Sequence, residues 1–320
     1  MTILAAEAVF PIPALDCWFL TGPTAGGKTS VSVELARRIG AEIVSMDSMA
    51  LYRRMDIGTA KPTLAERGGV PHHLIDVIEP CEQYSLAQYV SAAGECIEQI
   101  KARGREVLFC GGTPLYLKGL LRGIFEGPPA DWDFRRRLRD EAPRQPPGWL
   151  HKRLAEVDAA AARRLHPNDT RRLVRALEVF EKTGRPISQW QRQFDVGRAA
   201  DECRVFVLNW PRRDLHARID RRVDEMFSAG LIDEVAGILD DPKPLSRTAR
   251  KAVGYREVIE HLRGDLELAE TIRLVKTHTR QLAKRQSTWF RSLGECRSVP
   301  VFGQIDAERL AGQIVDLAAG

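Results

Sequence analysis

Short apolar runs alternate with segments of helical period along the first 120 residues of the chain. The runs that predict buried strands are CWFLTG, AEIVSM and EVLFCGG. After the first run, Val31, Leu35 and Ile39 recur every four residues and Gly40 follows, which predicts a helix. The segment SLAQYVSAAGECIEQIKARG predicts a second helix. This alternation favours an α/β core, in which a parallel sheet is flanked by helices.

The pattern changes after Gly127, where the chain becomes poor in strands and rich in arginine. The segment PNDTRRLVRALEVFEKTG shows the helical period again. Asn168 or Asp169 is the expected N-cap of this helix, and Gly184 is suited to end it. The change predicts a helical region rather than a continuation of the sheet.

The strand pattern resumes at CRVFVLNW, near residues 203–210, and the rest of the chain is mostly helical. We therefore expect a core made of residues 1–127 and 201–320, interrupted by an all-helical insertion domain over 128–200. The insertion is predicted as a domain of its own because it contains no strand pattern.

Composition excludes several classes of protein. Apolar residues make up 44% and charged residues 28% of the chain, which is an ordinary globular mixture. No run approaches the ~18 apolar residues of a membrane helix, so no membrane association is expected. The N-terminus lacks a basic region and predicts a disordered lead-in rather than a signal peptide. Six cysteines without a Cys-x-x-Cys pair exclude a sequence-evident zinc site and favour reduced thiols in the cytoplasm.

Positive charge is clustered, although the net charge is only +5. No acidic residue occurs from Thr271 to Gly294. The helical spacing of 3, 4, 4 and 7 places five basic residues of this span on one face: Arg273, Lys276, Arg280, Lys284 and Arg291. A second cluster contains Arg163, Arg164, Arg171, Arg172 and Arg175. These clusters suggest a polyanionic partner, with a solvated basic face as the alternative. Trp289 and Phe290 are expected in the core.

A phosphate-binding loop follows the first predicted strand. Gly22, Gly27, Lys28 and Thr29 satisfy the pattern G-x-x-x-x-G-K-[ST]. The glycines let backbone N–H groups turn towards phosphate oxygens, and the next helix directs its positive end at them. Lys28 adds a positive charge, and the Thr29 hydroxyl is suited to hold Mg²⁺. The motif leaves open which phosphate compound is bound.

Asp47 follows the second predicted strand, at the sheet edge where the loop also lies. Ligands of open parallel sheets bind at this edge, so Asp47 is a candidate for catalysis, with the cap of a turn as the alternative. The strand VLFC leads into Gly111 and Gly112 rather than into an acidic residue, which weighs against ordinary ATPase chemistry.

The motifs together resemble those of the tRNA dimethylallyltransferases (isopentenyl-diphosphate:tRNA transferases), from about Trp18 to Arg291. The resemblance is carried, in family order, by GPTAGGKT, DSMALYRRMDIGTAKP, PHHLID, GGTPLYLKGLL, HPNDTRRLVRALEVF, RIDRRVDEM, AVGYRE and TRQLAKRQSTWFR. The chain departs from the family pattern at Gly26, where serine is common, at Ala50, where glutamine is frequent, and at Pro114.

The resemblance implies a P-loop NTPase-like parallel sheet with an all-helical insertion, and a reaction at its sheet edge. A dimethylallyl group would pass from dimethylallyl diphosphate to the N6 amine of adenosine 37, in tRNAs that read codons beginning with U. Asp47 would act as general base, with Thr24 and Arg222 as further catalytic residues. Mg²⁺ would bind at Thr29. The diphosphate would be held by Gly22, Pro23, Thr24, Ala25, Gly26, Gly27, Lys28, Thr29 and Arg218.

The resemblance also implies tRNA contacts at matching positions in several segments. They are Asp47, Ser48, Met49, Ala50, Thr113, Arg135, Arg171, Arg172, Arg175, Lys251, Gly254, Tyr255, Arg256, Lys284, Arg285 and Arg291. The partner would be the anticodon stem-loop, and we expect a monomer because one chain supplies both the phosphate loop and the RNA-binding residues.

Two other functions share part of these features. A small-molecule or nucleoside kinase would have the loop and the sheet, but it leaves the basic clusters unexplained. A non-catalytic RNA-binding ATPase accounts for the charge, but it gives Asp47 no role.

Overall fold

The computed structural model of the chain describes residues 14–124, 127–190 and 197–319. In these residues six parallel strands form one sheet, in the order β3-β2-β4-β1-β5-β6. The strands are β1 (Trp18–Thr21), β2 (Ala41–Ser45), β3 (His72–His73), β4 (Glu106–Gly111), β5 (Arg204–Asn209) and β6 (Cys296–Pro300). The predicted α/β class with a parallel sheet is confirmed.

Helices lie in the connections from β1 to β2 and from β3 onwards to β6, as is usual for parallel strands, and a helix also follows β6. They are α1 (Lys28–Ile39), α2 (Leu86–Ala102), α3 (Pro114–Arg122), α4 (Trp132–Glu141), α5 (Trp149–Val157), α6 (Ala159–Arg164), α7 (Thr170–Thr183), α8 (Ile187–Trp190), α9 (Arg212–Ser228), α10 (Leu231–Leu239), α11 (Tyr255–Leu262), α12 (Leu268–Arg291) and α13 (Ala307–Ala319).

The described residues divide into two units. One contains the described part of residues 122–196, and the other contains the described parts of 13–121 and 197–320. The sequence alone suggested an insertion over 128–200. The prediction about the N-terminal lead-in falls mainly on residues 1–13, outside the described residues.

The strand β1 lies inside the sheet and is completely buried. β1 pairs with β4 on one side and β5 on the other, and every residue of β1 is buried. Phe19 on β1 stacks on Phe109 of β4 with a ring separation of 5.0 Å. Helices α1 and α13 pack together, with buried Leu35 and Ile314 in the same apolar cluster. This packing fixes the carboxyl ends of β1, β2 and β4 beside one another at one edge.

The unit of helices α4 to α8 has its own apolar core, in which Phe134, Leu154 and Leu173 are buried. In α7 the Asp169 carboxylate accepts a hydrogen bond from the backbone N–H of Arg172, which is the expected N-cap. Gly184 ends α7 in the left-handed conformation, with φ 67°. Both ends of this helix are therefore where the sequence predicted them.

Glu178 on α7 is fully buried and binds two arginines of this unit. Arg135 donates to both of its carboxylate oxygens at 2.7 Å, and the backbone N–H of Asp131 donates at 2.7 Å. Arg175 donates to Oε2 as well. Burial alone raises the pKa of Glu178, but the hydrogen bonds from the arginines outweigh burial and hold that pKa below its usual value.

The strands β3 and β6 were not predicted. β3 has two residues, and β6 carries the sequence CRSVP, whose only fully buried position is Val299. Neither segment shows the apolar alternation on which the strand prediction depends. Both lie at the edges of the sheet, where a strand needs pairing on one side only. In the described residues no helix is long and apolar enough to cross a membrane.

Removing the Glu178 carboxylate should destabilise the helical unit. Glu178→Ala leaves the guanidinium groups of Arg135 and Arg175 without their shared anion, and we expect a loss of about 3–5 kcal/mol in the free energy of unfolding. Urea titration followed by circular dichroism measures it. Glu181→Ala changes an exposed glutamate of the same helix and should alter stability by less than about 0.5 kcal/mol.

The same interaction predicts a pH dependence. Because the folded-state pKa of Glu178 is lowered, its ionised form stabilises the fold above the ordinary pKa of glutamate. That contribution is lost as the pH falls through the lowered value. The stability difference between the wild type and Glu178→Gln should therefore shrink in acid, and a difference that stays constant contradicts the assignment.

Candidate active site

The loop from Gly22 to Gly27 connects β1 to α1 and depends on glycine at both ends. Gly22 has φ 143° and Gly27 has φ 80°, values that L side chains rarely adopt. A Cβ on Gly22 would lie 2.9 Å from the carbonyl oxygen of Leu208, and one on Gly27 would lie 1.6 Å from Cδ1 of Ile305. The loop is therefore packed against β5 and against the segment that leads into α13.

Lys28 folds back over the loop. Its Nζ donates to the carbonyl oxygens of Gly22 at 3.1 Å and of Pro23 at 2.9 Å. Burial lowers the pKa of Lys28, while the nearby Cys110 and Asp47 act in the opposite direction. The ammonium group thus lies inside the loop, where the charge of a bound phosphate would stabilise it.

Two side chains from outside the loop bind its backbone carbonyls. Trp210 Nε1 donates to Gly26 O at 3.0 Å, and Arg218 Nε donates to Ala25 O at 2.8 Å. The Arg218 guanidinium lies 4.8 Å from the centre of the Trp210 ring. These contacts engage the carbonyls of Ala25 and Gly26, while in the described residues the backbone N–H groups of Ala25 and Gly27 have no protein acceptor and are available for an anion.

Asp47 follows β2 at the same edge. Its Oδ1 accepts a hydrogen bond of 2.8 Å from the backbone N–H of Met49, and in the described residues its second oxygen has no hydrogen-bond donor. The neighbouring Gly111 ends β4, and a Cβ there would lie 2.1 Å from Met46 O. Only glycine permits this approach, which brings Asp47 next to the end of β4. Asp47 thus caps its own turn and keeps one oxygen free.

A cavity of about 540 Å³ opens between the phosphate loop and these strand ends. Its polar wall contains loop residues 24–29, Asp47, Arg218 and Arg222. Its remaining lining includes apolar side chains, among them Ile43, Ala50, Ala60, Pro62 and Ile75. A cavity that is lined by both a phosphate-binding loop and apolar side chains suits a ligand that carries a phosphate group on a hydrocarbon chain.

Arg222 supplies a cation to this cavity from α9. It is half-buried, and in the described part of the chain its guanidinium has no ion pair or hydrogen bond. Burial lowers the pKa of Arg222, and the charge of Asp47 opposes that effect. A half-buried guanidinium without a partner is suited to an anionic ligand.

The loop over residues 56–61 closes another side of the cavity. Glu234 of α10 accepts from the backbone N–H groups of Asp56, Ile57 and Gly58 at 2.9, 2.7 and 3.2 Å. Buried Lys61 donates to Tyr52 O at 2.7 Å and forms ion pairs with Asp56 and Asp76. Glu234 and Lys61, which the sequence analysis did not select, hold this wall of the cavity in place.

Gln286 of α12 was also missed, and it contacts the phosphate loop directly. It is 8% exposed and lines the cavity. Its Oε1 accepts from the backbone N–H of Thr24 at 2.9 Å, and its Nε2 donates to Gly112 O at 2.7 Å. Ala283, Gln286 and Phe290 form one buried stripe of α12. A glutamine within an otherwise apolar stripe is the signal that identifies it in the sequence.

The residues suggested for tRNA contact fall into different environments. Those whose side chains are exposed are Arg171, Arg172, Lys251, Lys284, Arg285 and Arg291. Arg172 forms an ion pair with Asp169 at 3.4 Å, and Arg291 donates to Ser287 O at 3.3 Å. For Arg171, Lys251, Lys284 and Arg285 no partner occurs among the described residues. These groups are accessible to a polyanion.

Other residues suggested for tRNA contact form hydrogen bonds and ion pairs within the protein. Arg135 and Arg175 bind Glu178, as described above. Tyr255 is 1% exposed and donates through its hydroxyl to Glu234 at 2.5 Å. Arg256 contacts the buried Glu257 and His278.

Thr113 and its neighbours close the turn after Asp47. The Thr113 hydroxyl accepts from the backbone N–H of Ser48 at 3.0 Å. The backbone N–H of Thr113 in turn donates to Met46 O at 3.2 Å. Gly254, like Tyr255, is buried.

Three of the five basic residues expected on one face of α12 form ion pairs within the protein. Arg273 pairs with Glu270, Lys276 with Asp224, and Arg280 with Asp220. The acids come from the first turn of α12 itself and from α9, which packs against it. The free positive charge is therefore concentrated in the last two turns of α12.

Trp289 was expected in the core together with Phe290, and the structure contradicts half of that prediction. Phe290 is 1% exposed, whereas Trp289 is 38% exposed. Consecutive positions of a helix point about 100° apart, so one ring faces inward and the next faces outward. Trp289 lies one turn from Arg285 on the accessible side of α12.

The chain is similar to known proteins over most of its length. A family model described as IPP transferase matches residues 50–293, and one described as isopentenyl transferase matches 15–77. A tRNA dimethylallyltransferase of Rhodopirellula baltica is 46% identical over 296 residues, which are 90% of this chain and 88% of that protein. One of Symbiobacterium thermophilum is 48% identical over 299 residues, 93% of each chain.

Solved structures agree with these sequences. The crystal structure of full-length tRNA isopentenylpyrophosphate transferase from Bacillus halodurans matches with a TM-score of 0.69 and 37% identity, over 95% of this chain and 96% of that one. A eukaryotic dimethylallyltransferase, captured in crystallographic snapshots acting on tRNA, matches with a TM-score of 0.72 and 27% identity, over 89% of this chain and 73% of that one.

A side chain at position 111 should disrupt the strand ends. Gly111→Ala would place its Cβ 2.1 Å from Met46 O, and we expect it to cost about 1–3 kcal/mol in the free energy of unfolding. Gly94→Ala is the matched control, because Gly94 lies inside α2 with nothing within 4 Å of the added Cβ. It should stabilise the protein by up to about 1 kcal/mol. Urea unfolding measures both, and equal effects would refute the close-approach argument.

Proposed function

Because the chain belongs to the IPP transferase family, we propose that it transfers a dimethylallyl group from dimethylallyl diphosphate to a tRNA. The observation that carries this proposal is one cavity lined by the phosphate loop, by Asp47 and by the unpaired Arg222. The acceptor is the N6 amine of adenosine 37, next to the anticodon, in tRNAs that read codons beginning with U. The products are N6-dimethylallyladenosine and diphosphate.

The loop binds the diphosphate of the donor. The residues that bind it are Gly22 to Thr29 together with Arg218, and the backbone N–H groups and Lys28 supply the positive end of the site. The apolar lining at Ile43, Ala60 and Ile75 is suited to the hydrocarbon tail. This arrangement puts the bond to be broken between the loop and Asp47.

Arg222 and Thr24 stabilise the leaving group. Negative charge grows on the diphosphate as its bond to carbon breaks, and a preformed cation in a half-buried site stabilises that charge. Thr24 lines the cavity as part of the loop, and its hydroxyl is the group that would donate to the same oxygens.

Mg²⁺ fits this site through the Thr29 hydroxyl, which lines the cavity. No group of three His, Cys, Asp or Glu side chains in the described part of the chain is arranged to hold a metal ion. Protein oxygens combined with substrate phosphates are the usual way in which Mg²⁺ is bound. When bound, the ion neutralises charge on the diphosphate.

Asp47 accepts the proton of the adenine amine. The exocyclic nitrogen is a weak nucleophile because its lone pair is delocalised into the ring, so loss of a proton during attack lowers the barrier. One oxygen of Asp47 is fixed by Met49, which orients the other towards a substrate. The base reaches the cavity after leaving the anticodon stack, a step that is easiest in a single-stranded loop.

The tRNA binds to the accessible basic residues of each unit. Arg171 and Arg172 are exposed in the helical unit, and Lys251, Lys284, Arg285 and Arg291 are exposed in the sheet unit. Phosphate contacts of this kind supply affinity and register. The remaining proposed contacts (Asp47 to Ala50, Thr113 and the positions used inside the fold) act on the base or support the loops around it. We propose that a single chain performs the reaction in the cytoplasm.

A direct assay tests the proposal. The purified protein is incubated with dimethylallyl diphosphate, Mg²⁺ and unmodified tRNA, and nucleosides are analysed by mass spectrometry. We expect a prenylated adenosine, which nuclease fragments locate beside the anticodon. ATP hydrolysis without a prenylated product would instead indicate a kinase or an RNA-binding ATPase. The end of β4 at Gly111, with no acidic residue there, supports the transferase.

Asp47→Asn should abolish proton transfer and leave binding intact. Asparagine keeps the oxygen that caps Met49 but is not a base, so we expect turnover to fall about 10²–10⁴-fold. Affinity for tRNA, measured by filter binding, should change little. Asp201→Asn, in an exposed segment, should have wild-type turnover. Full turnover in Asp47→Asn excludes this residue as the base.

Because some basic residues of α12 form ion pairs and others are accessible, two double variants together test whether α12 binds tRNA. Lys284→Ala combined with Arg291→Ala removes accessible charges and should weaken tRNA binding. Two lost phosphate contacts should reduce the slope of log affinity against log salt by about 1.4–1.8. Arg273→Ala combined with Lys276→Ala removes the same formal charge from ion-paired positions and should reduce the slope much less. Equal slopes in the two double variants mean that the end of α12 does not bind the RNA.

A further inference from the structure

The long helix α12 reaches the phosphate loop through the side chain of Gln286. In the described residues, the side chains beyond α1 that form hydrogen bonds with loop residues 22–27 are those of Trp210, Arg218 and Gln286. Of these only Gln286 belongs to α12, and it binds the first part of the loop, at Thr24. The other two bind carbonyls of the second part.

Both ends of the Gln286 amide are used. Oε1 accepts from Thr24 and Nε2 donates to Gly112, so the side chain spans the gap between the loop and the end of β4. A Cβ on Gly112 would lie 2.7 Å from Nε2, which means that the amide is seated closely against the backbone. The 8% exposure of the residue leaves the amide little room to adopt another position.

The segment that Gln286 holds is also the one that Lys28 holds. Nζ of Lys28 donates to Gly22 and Pro23, immediately before Thr24. The backbone of these three residues is therefore fixed by the lysine through its carbonyls and by the glutamine through an N–H. If α12 moves, the hydrogen bond between Thr24 and Gln286 changes, whereas the hydrogen bonds from Lys28 remain.

Other positions around the same helical turn carry accessible charges. Lys284 and Arg285 precede Gln286 directly, and Trp289 follows it by three residues with 38% of its surface exposed. A helix moves as a rigid element over one turn, because its backbone hydrogen bonds run from each residue to the fourth one along. A polyanion that binds Lys284 and Arg285 thus acts on the element that positions Gln286.

We propose that Gln286 is a positioning residue that couples tRNA binding on α12 to donor binding in the phosphate loop. The inference rests on the proposed function. When tRNA holds the end of α12 in place, the amide holds Thr24 in the orientation that the diphosphate requires, and each ligand raises the affinity for the other. Such coupling is reciprocal by thermodynamic necessity.

The test measures four dissociation constants by calorimetry. A thiolo-diphosphate analogue of dimethylallyl diphosphate, which is not transferred, is titrated into the protein with and without saturating unmodified tRNA, and tRNA is titrated with and without the analogue. In the wild type we expect each ligand to tighten the other about fivefold or more. In Gln286→Met, which has a similar volume and no amide, this factor should fall below about twofold, and analogue affinity without tRNA should fall about 5–30-fold.

Two further variants make the result specific. Gln286→Asn keeps the amide but is one methylene too short to reach both Thr24 and Gly112, so it should also lose the coupling. This variant retains the polar group, which keeps the test available if the Met variant folds poorly. Gln99→Met makes the same change at an exposed position of α2 and should leave all four constants at wild-type values.

The outcomes separate the inference from the function on which it rests. If the wild type binds neither ligand, the proposed function fails and this inference fails with it. If the wild type binds both without mutual tightening, only the inference is overturned. The same conclusion follows if Gln286→Met and Gln286→Asn weaken binding but keep the wild-type factor, because a purely structural role lowers affinities without changing their ratio.

Discussion

The site depends on the convergence of three parallel strands at one edge, and on how closely two of them approach. β1 delivers the phosphate loop, β2 delivers Asp47, and β4 lies between them and ends in Gly111. Met46 O occupies the space into which any side chain at position 111 would project. The Asp47 carboxylate and the phosphate loop face one cavity because β4 ends in Gly111, which has no side chain. The position of Asp47 beside the phosphate loop follows from this geometry.

A second theme is how the fold uses its charges. Several arginines and lysines that a sequence count assigns to a polyanion are neutralised within the chain, as with Arg280 on Asp220 and Arg135 on Glu178. Arg222 in the cavity is different, because it has no partner in the described part of the molecule. The positions suited to phosphate groups are the basic side chains without an acidic partner, and the number of basic residues in a segment does not identify them.

Much of the fold and of the loop could be predicted from the sequence, for definite reasons. The strands β1, β2 and β4 are short, largely apolar runs, and α7 carries both a capping aspartate and a terminal glycine. The loop has a fixed spacing because backbone geometry around a phosphate demands it. Local signals of this kind can be recognised in the sequence without knowledge of the fold.

The features that were missed depend on contacts between distant parts of the chain. Gln286 meets Thr24 across 262 residues, and the partners of Lys276 and Arg280 lie in α9. The orientation of Trp289 depended on which side of α12 packs inward, and the two-residue strand β3 has no pattern without its neighbour. Pairing and burial are properties of the folded molecule, so residue type and spacing alone do not reveal them.

The position of Ile305 against Gly27 has a consequence for the order in which the protein folds. The phosphate loop follows β1, yet its packing is completed by a residue that lies just before α13, the helix that packs on α1. The motif is therefore local in sequence, whereas its final packing requires that the segment before α13 has folded against Gly27.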